Sequence, residues 1–115
     1  MRLSEKQRLF AKTLNQFQSW MLKNGYEYTL GDAYRDPRVF GKFGERKGYG
    51  QAGSLHKMRL AQDINLFIND QYIYDGDHPD YQKIGEKWES MNELCAWGGR
   101  FSDSNHFSFK HGTYA

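Results

Sequence analysis

Cysteine is almost absent from this chain of 115 residues: Cys95 stands alone. No internal disulfide can form, and metal clusters built from several thiolates are excluded. Long apolar runs are missing too. Nowhere do roughly 18 apolar residues follow one another, so no segment reads as a membrane span. The opening stretch, Met1-Arg2-Leu3-Ser4-Glu5-Lys6, runs into a polar amphipathic segment and lacks the apolar core of a secretion signal. Charge of one sign is scarce, since 16 basic residues face 14 acidic ones for a net +2, far from a nucleic-acid-binding footprint. Internal repeats, low-complexity runs and linkers are absent, and the length suits one domain over residues 1–115. There is no H-E-x-x-H, no phosphate-cradling P-loop and no G-x-S-x-G elbow, so thermolysin-type, nucleotide and serine-hydrolase chemistry have no foothold.

Aromatic side chains, at 17%, are plentiful, and they let a small protein build its core from a few large groups. Phe10, Leu14, Phe17 and Met21 recur on one face of a helix expected over 4–24. Ser4 and Gln7 form a capping-box pattern at its start, and Gly25 is its left-handed stop. A short strand is expected over 26–30 and a longer one over 60–68. Asn69-Asp70 turns the second into a hairpin partner at 72–74. His78-Pro79-Asp80 opens a second helix, whose Tyr81, Ile84, Trp88 and Met91 share a face. A last strand is expected over 106–109. The predicted fold is α+β, a small antiparallel sheet packed with two or more helices. Five glycines in 40–53 preclude a regular element there and leave two readings, a substrate-side lid or a plain surface loop.

The residues able to carry chemistry lie in two stretches, Ser54-Leu55-His56 through Ala61-Gln62-Asp63 and Asp103-Ser104-Asn105-His106. They supply two imidazoles and two carboxylates. A catalytic zinc takes about three such ligands and keeps one position open. His56, Asp63 and His106 would fill the three places and leave Asp103 as the proton-transferring base. An offset of seven from His56 to Asp63 would put them on opposite faces of one strand, so His56 belongs in the turn before it. Spacing alone leaves both a metal site and ordinary structural roles open.

The two stretches together resemble a family of small zinc peptidases: the D-Ala-D-Ala carboxypeptidases, the D-Ala-D-Ala dipeptidases and the phage L-alanyl-D-glutamate endolysins (the VanY-like group). The family pattern is S-x-H-x-x-G-x-A-x-D followed by Glu or Asp, two residues and His. Ser54, His56, Ala61 and Asp63 match the first part, Asp103 and His106 the second. The surroundings, from Leu60 to Phe67 and from Trp97 to Ser108, look most like phage-encoded members. The resemblance implies a hedgehog/DD-peptidase-like domain, zinc held by His56, Asp63 and His106, and Asp103 as base. It further implies that Arg35, in Tyr34-Arg35, binds substrate or steadies charge on the scissile carbonyl oxygen, and that Ser54 supports the site through hydrogen bonds. The implied partner is the peptidoglycan stem peptide, met by a monomeric enzyme that is made in the cytoplasm and released to the wall through a holin-type pore.

Two positions depart from the pattern. Arg59 stands where much of the family has Gly. Asp103 stands where carboxypeptidase members usually have Glu, which tilts the expectation toward the endolysin branch and cleavage of the L-Ala–D-Glu bond, with D-Ala-D-Ala carboxypeptidase or dipeptidase activity as the alternative. A catalytically dead wall-binding module is a further alternative, opposed by the presence of all four zinc-site residues. Lys47-Gly48-Tyr49-Gly50 matches the start of an RNA-recognition octamer and fails at Gln51, Ala52 and Ser54. Cys95, Trp88 and Trp97 read as core, and His78 as a helix-entry residue.

Overall fold

The computed structural model describes residues 1–36, 38, 41–45 and 53–115. Among them, helix α1 (Leu3–Lys23) is followed by strands β1 (Glu27–Leu30), β2 (Ala61–Ile68) and β3 (Gln71–Tyr72), helix α2 (Pro79–Met91), and strands β4 (Cys95–Trp97) and β5 (His106–Phe109). Two 3₁₀ turns, Leu55–Met58 and Gly98–Phe101, precede β2 and β5. The five strands form one antiparallel sheet in the order β1-β2-β5-β4, with β3 paired to β2. This is the expected α+β architecture.

The helices form where apolar residues recur on one face. Phe10, Thr13, Phe17 and Met21 of α1 are buried, while Leu14 packs only partly against the core. On α2 the buried set is Tyr81, Ile84, Gly85 and Trp88. Trp88 is 0% exposed and ties the layers together. Its Nε1–H donates to the Ala96 and Ser108 carbonyls, each at 3.1 Å, so α2 is pinned to β4 and β5 at once. Around it Phe10, Phe17, Phe107 and Phe109 meet at centroid distances of 5.2–6.3 Å, mostly tilted or edge-on, as ring quadrupoles prefer.

Several local expectations shift. The Ser4–Gln7 capping box does not form: α1 is capped at Arg2 with no side-chain bond, which leaves Ser4 inside the first turn. The Gln7 amide instead donates to the Met58 carbonyl at 2.7 Å, joining α1 to the turn that carries His56. Gly25 does end the helix, at φ +79°. β4 has no sequence signature because all three residues are buried, so the inside–outside alternation that marks a strand is lost. Cys95 lies in it, and burial pushes its thiol up to about 12, as suits a core residue. His78 caps α2 by accepting from the Asp80 N–H at 3.0 Å. Of the glycine-rich stretch 40–53, residues 40 and 46–52 lie outside the described residues, and with them Lys47-Gly48-Tyr49-Gly50.

Gly85 is fixed by packing. A Cβ there would meet the Trp97 indole. Gly85→Ala is therefore expected to force α2 off β4 and cost about 1–3 kcal/mol, read as a lowered urea midpoint at unchanged slope. A midpoint equal to wild type would mean that the Trp97 ring can turn aside freely.

Candidate metal centre

Strand register creates the first half of the site. Asp63 on β2 stands directly opposite His106 on β5, so their side chains share one face of the sheet. His56 comes from the 3₁₀ turn Leu55–Met58, ahead of the strand. Its Nε2 lies 3.1 Å from Asp63 Oδ1, and His106 Nδ1 lies 3.5 Å from the same oxygen. The two rings stand nearly perpendicular, with centroids 5.1 Å apart.

Segment 31–35 holds this arrangement from the other side. The Gly31 N–H donates to the Asp63 carbonyl and the Asp63 N–H to the Asp32 carbonyl, both at 2.8 Å, which extends the sheet past β1. The Arg35 N–H donates to the His56 carbonyl at 3.1 Å. The Ala33 carbonyl accepts from His56 Nδ1–H at 2.7 Å, which turns Nε2 toward Asp63. Ser54 Oγ accepts from Arg35 Nη1 at 3.0 Å and from the His56 N–H at 3.3 Å. Arg35 also reaches Asp32 Oδ2 at 3.3 Å. The roles of Ala33 and Asp32 were not visible in the sequence. One is a main-chain carbonyl, available at any residue type, and the other acts three residues from its partner in an irregular segment.

Arg59, the departure from the family's Gly, adopts φ +55° and ψ +37°, the left-handed region in which Gly is unstrained. Its guanidinium sits 4.0 Å from the centre of the Tyr34 ring, a stacking contact that Gly could not make.

The electrostatics separate the two carboxylates. Burial acts to raise Asp63, but the His106 and His56 imidazoles around it outweigh that and hold it at about 2. Asp103 moves the other way: partial loss of water raises it above its ordinary value, and the Asp63 charge adds to this against the pull of His106, His56 and Arg35. Asp103 Oδ2 lies 3.9 Å from His106 Nδ1, with its side chain 53% exposed to the cleft. That cleft, about 420 Å³, is lined by Arg35, Ser54, His56, Phe101, Asp103 and His106 among others. Phe101 is a site residue that sequence reasoning missed. It is half-exposed, packs edge-on against His106 at 5.8 Å, and forms the apolar wall.

Asp63 Oδ1 and His106 Nε2 are buried and have no hydrogen-bond partner among the described residues. Buried polar atoms seldom stay unsatisfied. His56, Asp63 and His106 offer ligand atoms all within 4.8 Å of one another, and two imidazoles with one carboxylate is a donor set suited to zinc. The group fits a divalent metal.

A α+β scaffold that sets such a group beside a raised carboxylate and a guanidinium defines the class of metal-dependent hydrolases. A family model described as D-alanyl-D-alanine carboxypeptidase matches residues 47–109, more than half of the chain, and the protein belongs to that family. In broad terms it is a zinc-type peptidoglycan peptidase. The match takes in Ser54, His56, Asp63, Asp103 and His106 and leaves Arg35 outside. A comparison with curated proteins finds no match.

Gly98 lets the site close. The Asp103 N–H donates to its carbonyl at 2.8 Å, and a Cβ at Gly98 would collide with the Asp103 carbonyl and stand 2.7 Å from His106 Cβ. Gly98→Ala is expected to displace the 103–106 turn, shift the His106 imidazole NMR signals and lower the melting temperature by several degrees. Unmoved His106 signals would show that the turn absorbs a methyl group.

Proposed function

We propose that this protein is a zinc-dependent peptidase of peptidoglycan stem peptides, with the L-Ala–D-Glu bond as its target. The observation that carries the reading is the convergence of His56 and His106 on the unsatisfied Asp63 Oδ1, in a cleft that also holds Arg35 and Asp103. His56, Asp63 and His106 would hold the metal. When bound, zinc supplies Lewis acidity, which polarises a carbonyl and makes water acidic near neutral pH.

The chain's own groups supply the rest. Asp103 takes a proton from the attacking water and delivers it to the departing amine nitrogen. A carboxylate raised by its surroundings suits a group that must both accept and return a proton. The Arg35 guanidinium is held toward the cleft by Ser54 and Asp32, where it stabilises the oxyanion on the scissile carbonyl. The Ala33 carbonyl fixes the His56 tautomer, and Asp63 stays ionised between the two rings.

The second reading is removal of a terminal D-Ala, which the family's description favours and in which Arg35 would pair with the terminal carboxylate. Support for the endopeptidase comes from the short Asp at 103 and from the phage-like surroundings of both motifs. On this reading the chain acts as a monomer, as the endolysin of a phage released to the wall by a holin-type pore.

Zinc is expected to stabilise the wild type by about 2.7 kcal/mol at a hundredfold excess over Kd, read as a higher unfolding midpoint, and to leave His106→Ala unchanged. Equal stabilisation of both proteins would remove His106 from the ligand set. Asp103→Asn is expected to retain zinc and lose about 10²–10⁴ in kcat; full turnover would remove Asp103 as the base. Mass spectrometry of digested muropeptides separates the two readings. New N-terminal D-Glu marks the endopeptidase, and released D-Ala the carboxypeptidase.

A further inference from the structure

Asp103 and Ser102 belong to two cavities. One is the cleft of the candidate metal centre. The other, about 390 Å³, lies on the far side of the 102–105 turn and is bounded by Tyr72, Tyr74, Gly76, Asp77 and Tyr81.

Its walls have a definite chemistry. Tyr74 is 87% exposed, an uncommon placement for a large aromatic side chain. It meets Tyr72 edge to face, with centroids 4.7 Å apart and planes at 65°. Two rings at that angle form a corner. A compact cation set in that corner can face both. The charged side chains among the described lining residues are Asp77 and Asp103, and no Lys, Arg or His is among them. The metal-side cleft differs, because Arg35 and two imidazoles line it.

The second cavity is also locked to the first. Ser104 Oγ donates to the Gly76 carbonyl at 2.8 Å, and Gly76 approaches so closely that a Cβ would stand 2.7 Å from that oxygen. The Ser104 carbonyl in turn accepts from Trp97 Nε1 at 2.8 Å. The loop bearing Asp77 is thus clamped to the turn bearing Asp103, and both walls stand in place before a ligand arrives.

We infer that the corner of Tyr72, Tyr74 and Asp77 is a subsite for a substrate residue carrying a primary ammonium group, on a peptide that crosses Asp103 from the metal-side cleft. The inference rests on the peptidase reading for the identity of that peptide. The ammonium is held by the Asp77 carboxylate and the faces of the two tyrosines, and this sets which residue lies one step away from the scissile bond.

The experiment compares two synthetic stem peptides that differ only in one side-chain amine, free in the first and N-acetylated in the second. Zinc-loaded wild type is expected to cleave the free-amine peptide with a kcat/KM about tenfold higher. Asp77→Asn and Tyr74→Ala should each bring that ratio close to one; both positions are exposed, so the fold tolerates the changes. Equal cleavage of the two peptides by wild type overturns the subsite and leaves the peptidase reading standing. If neither peptide is cleaved, the peptidase reading fails instead, and an NMR titration decides the subsite. Tyr72 and Tyr74 ring signals that move with the free-amine peptide alone would uphold it, and signals that stay fixed would overturn it.

Discussion

The antiparallel pairing of β2 with β5, in the register that sets Asp63 against His106, is the constraint on which the candidate site depends. A slip of one residue would turn His106 to the other face and bring Phe107 out of the core, where it packs against Phe17 and Trp88. The apolar core and the candidate metal group therefore enforce the same register from opposite faces of the sheet. Trp88 strengthens this by donating to carbonyls of β4 and β5 together.

The site shifts its two carboxylates in opposite directions because their surroundings differ. Asp63 sits between two imidazoles and stays ionised even though burial opposes it. Asp103 accepts no close contact from either ring, so partial burial and the Asp63 charge outweigh the pull of His106, His56 and Arg35 and raise it. Environments that push two acids apart are a physical route to distinct roles for chemically similar side chains. Segment 31–35 contributes as much through its main chain as through Arg35, since Ala33 and Asp32 offer carbonyls to His56 and to the Asp63 N–H.

The turn from Gly98 to His106 works at close range on both sides. Gly98 admits the Asp103 carbonyl, Gly76 admits Ser104, and the two cavities meet at Asp103. A glycine at each close approach lets the 98–106 turn carry Asp103 between the two cavities.

Residue type and spacing were enough to define both helices, β2 with its turn, the final strand and the family to which the chain belongs, while the hairpin partner expected at 72–74 forms at Gln71–Tyr72. Those features are local: a helical face, a two-residue turn at Asn69-Asp70 and a pair of short motifs can be read without knowing what lies opposite. The odd offset between His56 and Asp63 even required a turn between them, and the 3₁₀ segment provides it. β4 escaped notice because complete burial erases alternation, and the Ser4–Gln7 pattern misled because Gln7 has a tertiary partner in Met58. Only the folded chain could decide that Asp63 and His106, 43 residues apart, pair in register, that Ala33 selects the His56 tautomer, and that Phe101, Tyr74 and Asp77 edge cavities meeting at Asp103. These depend on main-chain atoms and on contacts between distant segments, which no residue's identity announces.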